Sequence, residues 1–170
     1  MFDLPLEERT AAKVLARGAE LYGERPFVEF QGEVVSYRSA NRRANRVANA
    51  LAGLGVGKGT RVGILLSNRP EYLDLWFGLA SIGAIQVPIN TAYHAPQIRH
   101  VLNRGELPVI VVERALADEL VSALANSDCR HLVILDGPPG AGASTAIPEH
   151  RYQDLLAAAD DATPPAVDVG

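Results

Sequence analysis

The stretch Arg61-Val-Gly-Ile-Leu-Leu66, continuing through Asn68-Arg-Pro-Glu-Tyr-Leu-Asp-Leu-Trp76 to Ile82 and on to Ala84-Ile-Gln-Val87, decides the fold. Its first piece is an apolar run too short for a helix, and its content suits a strand buried on both faces. The second piece carries apolar residues at helical spacing, with Asn68 placed to cap it. The third is again a short apolar strand. Downstream the alternation repeats. Pro96 sits near the start of a helix running to Gly105, and Pro108–Val112 reads as a third strand. Leu116–Ala125 reads as the next helix and His131–Leu135 as the fourth strand. Short strands alternating with longer helices predict an α/β fold: a doubly wound, mostly parallel sheet with helices on both faces.

Upstream, Thr10 reads as a helix cap, since Ala11, Val14, Leu15, Gly18, Ala19 and Tyr22 follow at helical spacing before Gly23. Phe27–Phe30 and Glu33–Ser36 flank Gln31-Gly32 and predict a small hairpin. A long helix follows from Tyr37 to Leu54, with Ala40, Ala44, Val47, Ala48, Leu51 and Leu54 as its apolar stripe. Arg38, Arg42, Arg43 and Arg46, with Asn45 and Asn49, line the other side and read as a solvated face. Beyond Leu135, Gly137–Ser144 is a loop by composition. Glu149–Ala159 reads as one more helix and 160–170, with Pro164-Pro165, as a linker.

The 170 residues fit one domain, with 48% hydrophobic and 21% charged residues. Sixteen Lys and Arg against twenty Asp and Glu leave a net charge of -4, which gives no reason to expect nucleic acid as a partner. The single Cys129 excludes an internal disulfide. The N-terminus lacks the basic start and apolar run of a secretory signal, and Leu75–Val87 falls short of the roughly 20 residues a spanning helix needs. A cytoplasmic location with no transmembrane segment is the expectation.

Gly137-Pro-Pro-Gly-Ala-Gly142-Ala143-Ser144 matches the phosphate-loop pattern except at its lysine, where Ala143 stands. Without that lysine, and with no helix start in Thr145-Ala-Ile-Pro148, it reads as a surface loop. A nucleotide-binding domain using this degenerate loop is the alternative reading. Gly55-Val-Gly57-Lys58-Gly59-Thr60 precedes a strand rather than following one, so helix termination explains it. His94, His100, His131 and His150 are too scattered along the chain for a metal site, so no metal ligand is assigned. Trp76 and Phe77, in an apolar helix, read as core.

The ordered set Val35-Ser-Tyr37, Ala50-Leu-Ala-Gly-Leu-Gly55-Val, Gly59-Thr-Arg-Val-Gly-Ile-Leu-Leu-Ser-Asn68, Glu71-Tyr-Leu, Leu79-Ala-Ser-Ile-Gly-Ala84 and Val87-Pro-Ile-Asn90 resembles the adenylate-forming superfamily. The match lies in its N-terminal subdomain, covers roughly residues 10 to 135, and is most similar to acyl-CoA ligases. The resemblance implies residues 1–159 as that subdomain, incomplete relative to the family, and 160–170 as a linker toward its phosphate loop. It implies an ATP-dependent acid–CoA ligase that joins a carboxylic acid to CoA through an acyl-adenylate. ATP, CoA and Mg are implied for the full-length family, with none bound tightly by this chain alone.

The family's Gly/Ser/Thr loop ending in lysine has no counterpart here, since the two lysines are Lys13 and Lys58. The chain therefore reads as an N-terminal fragment, inactive alone, that supplies scaffold and one wall of the acyl and CoA site beside the remainder of the ligase. No catalytic residue is assigned to it. The resemblance carries CoA contacts over to Thr91, Ala92 and His94, after the Val-Pro strand, and to Arg114. Ala92 stands where some members carry a basic residue. A non-catalytic module that pairs with a separately encoded remainder is a further alternative.

Overall fold

The computed structural model describes residues 5, 9–138 and 146–165. Helix α1 (Ala11–Tyr22) is capped by the Thr10 hydroxyl, which accepts from the Lys13 N–H, and Gly23 ends it at φ 53°. Strands β1 (Pro26–Phe30) and β2 (Glu33–Ser36) pair antiparallel. Gln31 and Gly32 both hold positive φ between them, as a two-residue hairpin turn requires. The Ser36 hydroxyl then caps α2 (Tyr37–Ala52), accepting from the Ser39 N–H. The helix stops before Leu54 because the Val56 N–H returns to the Leu51 carbonyl while Gly55 takes φ 83°.

Five strands make the main sheet: β3 (Arg61–Leu65), β4 (Ile85–Pro88), β5 (Val109–Glu113), β6 (His131–Leu135) and β7 (Glu149–Arg151). They lie side by side as β4-β3-β5-β6-β7, every neighbouring pair parallel. Alternate residues of each strand serve opposite faces. Val62, Ile64, Val109, Val111, Val133 and Leu135 pack with residues of α2, of α3 (Pro70–Ser81) and of α6 (Tyr152–Ala158). Leu65, Ile110, Val112, Leu132 and Ile134 pack with residues of α4 (Ala95–Gly105) and α5 (Arg114–Ala123). This is the doubly wound sheet expected from the alternation of short apolar runs and helices.

Several local expectations need correction. Arg69, not Asn68, occupies the cap position of α3, because Pro70 opens the helix and steers its predecessor into extended conformation. Trp76 is 47% exposed, since the buried side of α3 belongs to Leu75 and Leu79. The segment read as a helix from Glu149 splits into β7 and α6. Part of the polar face of α2 is covered, not solvated. The Asn45 amide donates to the Asp161 carbonyl, the Asn49 amide donates to Asp160 and Ala162, and Arg46 meets the Asp161 carboxylate at 3.4 Å. Residues 160–162 thus lie strapped across α2.

Candidate functional site

In an open parallel sheet, ligands gather outside the carboxyl ends of the strands, where successive crossovers depart in opposite directions. Here the chain leaves β3 for β4 on one side and later returns to pair β5 on the other, so that point lies between β3 and β5. Each central strand delivers a polar residue there. Ser67 follows β3, Glu113 ends β5, and Asp136 follows β6 at φ 60°. Glu113 Oε1 accepts from both the N–H and the hydroxyl of Ser67, at 2.5 and 2.6 Å, closing the gap between the two strands.

Arg69 stands at the centre of this edge. Its guanidinium makes two hydrogen bonds to Glu71, at 2.8 and 3.0 Å, and two to Asp136, and lies 3.8 Å from Glu113. Hydrogen bonding to Arg69 holds the carboxyls of Glu71 and Asp136 below the usual carboxylate range, while those same carboxylates push the guanidinium further up. Three carboxylates share one guanidinium. The cluster ties α3 to the ends of β5 and β6, and it offers no spare positive charge.

The loop after β4 forms one flank. Ile89 is buried and its N–H donates to the Ile64 carbonyl, which fixes where the loop departs. Asn90 Oδ1 accepts from the Ala92 N–H at 2.9 Å, and the Tyr93 N–H donates to the Asn90 carbonyl. Thr91, Ala92 and His94 are exposed. His94 caps α4, where Gln97 Oε1 accepts its N–H, and its imidazole lies 3.7 Å from Glu119 of α5. Arg114 opens α5 and pairs with Asp118 at 3.1 Å. Its aliphatic stem rests against Gly137, where an added Cβ would lie 2.8 Å from Arg114 Cγ.

The structure therefore gathers Thr91, Ala92 and His94 in one turn and joins that turn to the Arg114 helix through Glu119. Arg69, Glu71, Glu113 and Asp136 did not emerge from the sequence reading. The available signal was the first polar residue after each apolar strand. Residues 139–145, including Gly142, Ala143 and Ser144 of the candidate phosphate loop, lie outside the described residues.

Behind Arg69 lies a cavity of about 700 Å³ whose lining includes Arg43, Arg46, Glu71, Asp74 and Tyr152. Asp74 is buried, and loss of solvent pushes its carboxyl up to about 7, with Glu71 adding and Arg43 opposing. The Tyr152 hydroxyl and Arg46 Nε are buried there without a hydrogen-bond partner. Among the described residues no three His, Cys, Asp or Glu side chains stand together as a metal-binding group, and no helix is long and apolar enough to cross a membrane.

Known proteins resemble this chain in sequence and in architecture. A crotonobetaine/carnitine–CoA ligase of Salmonella paratyphi A is 39% identical over 98 residues, which cover 55% of this chain and 19% of that protein. The chain thus spans about a fifth of that relative's length. The crystal structure of the anthranilate CoA ligase AuaEII, in complex with anthranoyl-AMP, superposes with a TM-score of 0.84 at 26% identity, over 97% of this chain and 30% of that one. The N-terminal domain of FACL13 from Mycobacterium tuberculosis, solved with an inhibitor, aligns with a TM-score of 0.73 at 27% identity, over 95% of this chain and 38% of that one. Residues 15–168 match the AMP-binding enzyme family as a whole, and on that match, carried by the parallel sheet described above, the chain belongs to that family.

Proposed function

We propose that this chain forms the N-terminal sheet domain of an ATP-dependent acid–CoA ligase. In that reaction a carboxylate and ATP give an acyl-adenylate and pyrophosphate, and the CoA thiol then displaces AMP. Within it, the carboxyl edge of the sheet acts as scaffold and as one wall of the acyl and CoA site. Thr91, Ala92 and His94 on one side, and Arg114 on the other, are the residues we assign to contact with the CoA nucleotide. The observation that supports this reading is the tie that Glu119 makes between the turn ending at His94 and the helix that Arg114 opens, in a chain whose relatives carry the name CoA ligase.

The described residues do not fit the polyphosphate of ATP or its magnesium. Arg69 is committed to Glu71 and Asp136, and Glu113 adds a third carboxylate that would repel an anion. Lys13 lies on α1 and Lys58 precedes β3 at the opposite edge of the sheet. Adenylation needs preorganised positive charge where the phosphoryl oxygens develop theirs, and position as well as charge sets the benefit. We therefore assign adenylation to parts of the ligase other than these residues.

The test is acid-dependent ATP–pyrophosphate exchange. The purified 170-residue chain should show none with any carboxylate, and co-expression with the complementary portion of a CoA ligase should restore it. In the restored enzyme, Arg114→Ala and His94→Ala should raise KM for CoA while leaving exchange unchanged. Robust exchange by the chain alone, surviving repurification, would overturn the reading and return attention to the Gly137–Ser144 loop.

A further inference from the structure

We infer that His131 and His150 form a chelating site for a borderline-soft divalent metal ion such as Zn²⁺ or Cu²⁺. They are 19 residues apart, and the parallel pairing of β6 and β7 brings them together. Val133 pairs with His150, so His131 is its diagonal neighbour two residues back, on the same face of the sheet. Nδ1 of His131 and Nε2 of His150 lie 3.1 Å apart, with the ring centroids 5.2 Å apart and the planes inclined at 46°. A metal bound about 2.05 Å from each nitrogen would see them at an angle of about 98°, between square and tetrahedral coordination. The two nitrogens share a hydrogen bond, which an ion would replace, with both imidazoles neutral and their ring protons on the outer nitrogens.

Both side chains are part-buried, and His131 also lines an open cavity of about 580 Å³ with Asp128, Arg130 and Glu106. That cavity opens the His131 side of the pair to solvent and gives an ion a way in from there. Two imidazole nitrogens favour zinc, copper or nickel over magnesium or calcium, which prefer oxygen ligands. Cys129 is not a third ligand. Its buried thiol packs with Leu132 and Ile134 on the other face of the sheet and donates to the His131 carbonyl at 3.5 Å. Glu106 is held by Arg61 at 2.7 Å. The site lies at the amino edge of β6, away from the carboxyl edge assigned to CoA, so a bound ion would pin the short edge strand β7 to the sheet.

The experiment uses the untagged 170-residue chain, with zinc chloride titrated calorimetrically and the imidazole resonances followed by NMR. One Zn²⁺ per chain, shifts confined to His131 and His150, and a rise in Tm are expected. Magnesium chloride should produce none of these. His131→Asn and His150→Asn should each weaken Zn²⁺ binding about tenfold or more, while His100→Asn leaves it unchanged. Sub-stoichiometric Cu²⁺ should broaden those same two rings in the unmodified chain, a readout that does not depend on whether either variant folds. Zn²⁺ affinity unchanged in both folded variants, or Cu²⁺ broadening centred on other residues, would overturn the assignment.

Discussion

Replacing Asp74 with Asn should make the protein more stable above neutral pH and remove most of the pH dependence of its stability in that range. Asp74 sits on the buried side of α3, where desolvation pushes its carboxyl up to about 7 from an ordinary 3.8. The folded chain then holds a proton that the unfolded chain releases. Stability therefore falls as pH rises from the unfolded value through the folded one, by up to 1.36 kcal/mol per pH unit. The interval from 3.8 to about 7 corresponds to about 4 kcal/mol. Below pH 4 the wild type carries no such penalty, and above pH 8 it carries all of it. Asn carries no charge at any pH, and the unpartnered Tyr152 hydroxyl in the same cavity is available to its amide. Urea denaturation of both proteins at pH 5, 6.5 and 8 measures the effect. The gap should widen in favour of Asp74→Asn by 2 kcal/mol or more, roughly, between pH 5 and pH 8. Parallel stability profiles would show that Asp74 is ionised in the folded state at neutral pH, and that water or Arg43 compensates its burial.

Leu51, 2% exposed on α2, should tolerate no charge, and Leu51→Asp should cost on the order of 3 kcal/mol or more. Arg42→Ala on the exposed side should cost under about 0.5 kcal/mol, and comparable melting shifts for the two would reverse the assignment of the helix faces. At the crossing of α2 and α3, a Cβ on Gly78 would lie 2.8 Å from the Ala44 carbonyl and 2.9 Å from Val47 Cγ1. Gly78→Ala should therefore cost about 1–3 kcal/mol by thermal denaturation, whereas Gly57→Ala, with open space around it, should not lower Tm through crowding. Arg69→Ala frees Glu71 and Asp136 from the partner that lowers them, a stabilisation present above their ordinary values and lost as pH falls. Acid titration should show a shallower loss of stability below pH 5 in Arg69→Ala than in the wild type, and identical acid limbs would mean the cluster contributes nothing to folding.

The parallel sheet was legible because β3, β5 and β6 are buried on both faces, so their sequences are unbroken apolar runs that no helix period explains. The hairpin was legible from Gln31-Gly32, the pair that supplies two positive φ values. Strand β7 was not legible. Glu149-His-Arg151 has no apolar period, and its strand geometry comes from pairing with β6, an interaction absent from local sequence. The Arg69 cluster was hidden for a related reason, since Arg69 and Asp136 are 67 residues apart and only the crossovers bring them together. Likewise the covering of Asn45 and Asn49 depends on residues more than a hundred positions away. Thr91, Ala92, His94 and Arg114 came from resemblance rather than from any chemistry visible in the residues themselves.

The charge distribution at the carboxyl edge limits what that edge can do, and it favours a wall over a catalytic pocket. Arg69 spends four of its five N–H donors on Glu71 and Asp136, and the fifth sits on Nη1, 3.8 Å from the Glu113 carboxylate, which repels a phosphate. The Ala92 N–H, a possible anion donor in the loop, is already taken by Asn90. What remains is peripheral: the exposed Thr91 and His94 on one side and the Arg114 side chain, 33% exposed and paired with Asp118, on the other. A cation in an exposed i,i+4 pair gives up its partner at little cost, because such pairs are worth only about 0.3–0.5 kcal/mol. Arg114 can therefore turn to a ligand phosphate, while Arg69 would have to abandon two carboxylates at a part-buried position to do the same. The edge thus combines a centre in carboxylate excess, three to one, with an exchangeable rim, which is the arrangement that the proposed CoA wall requires.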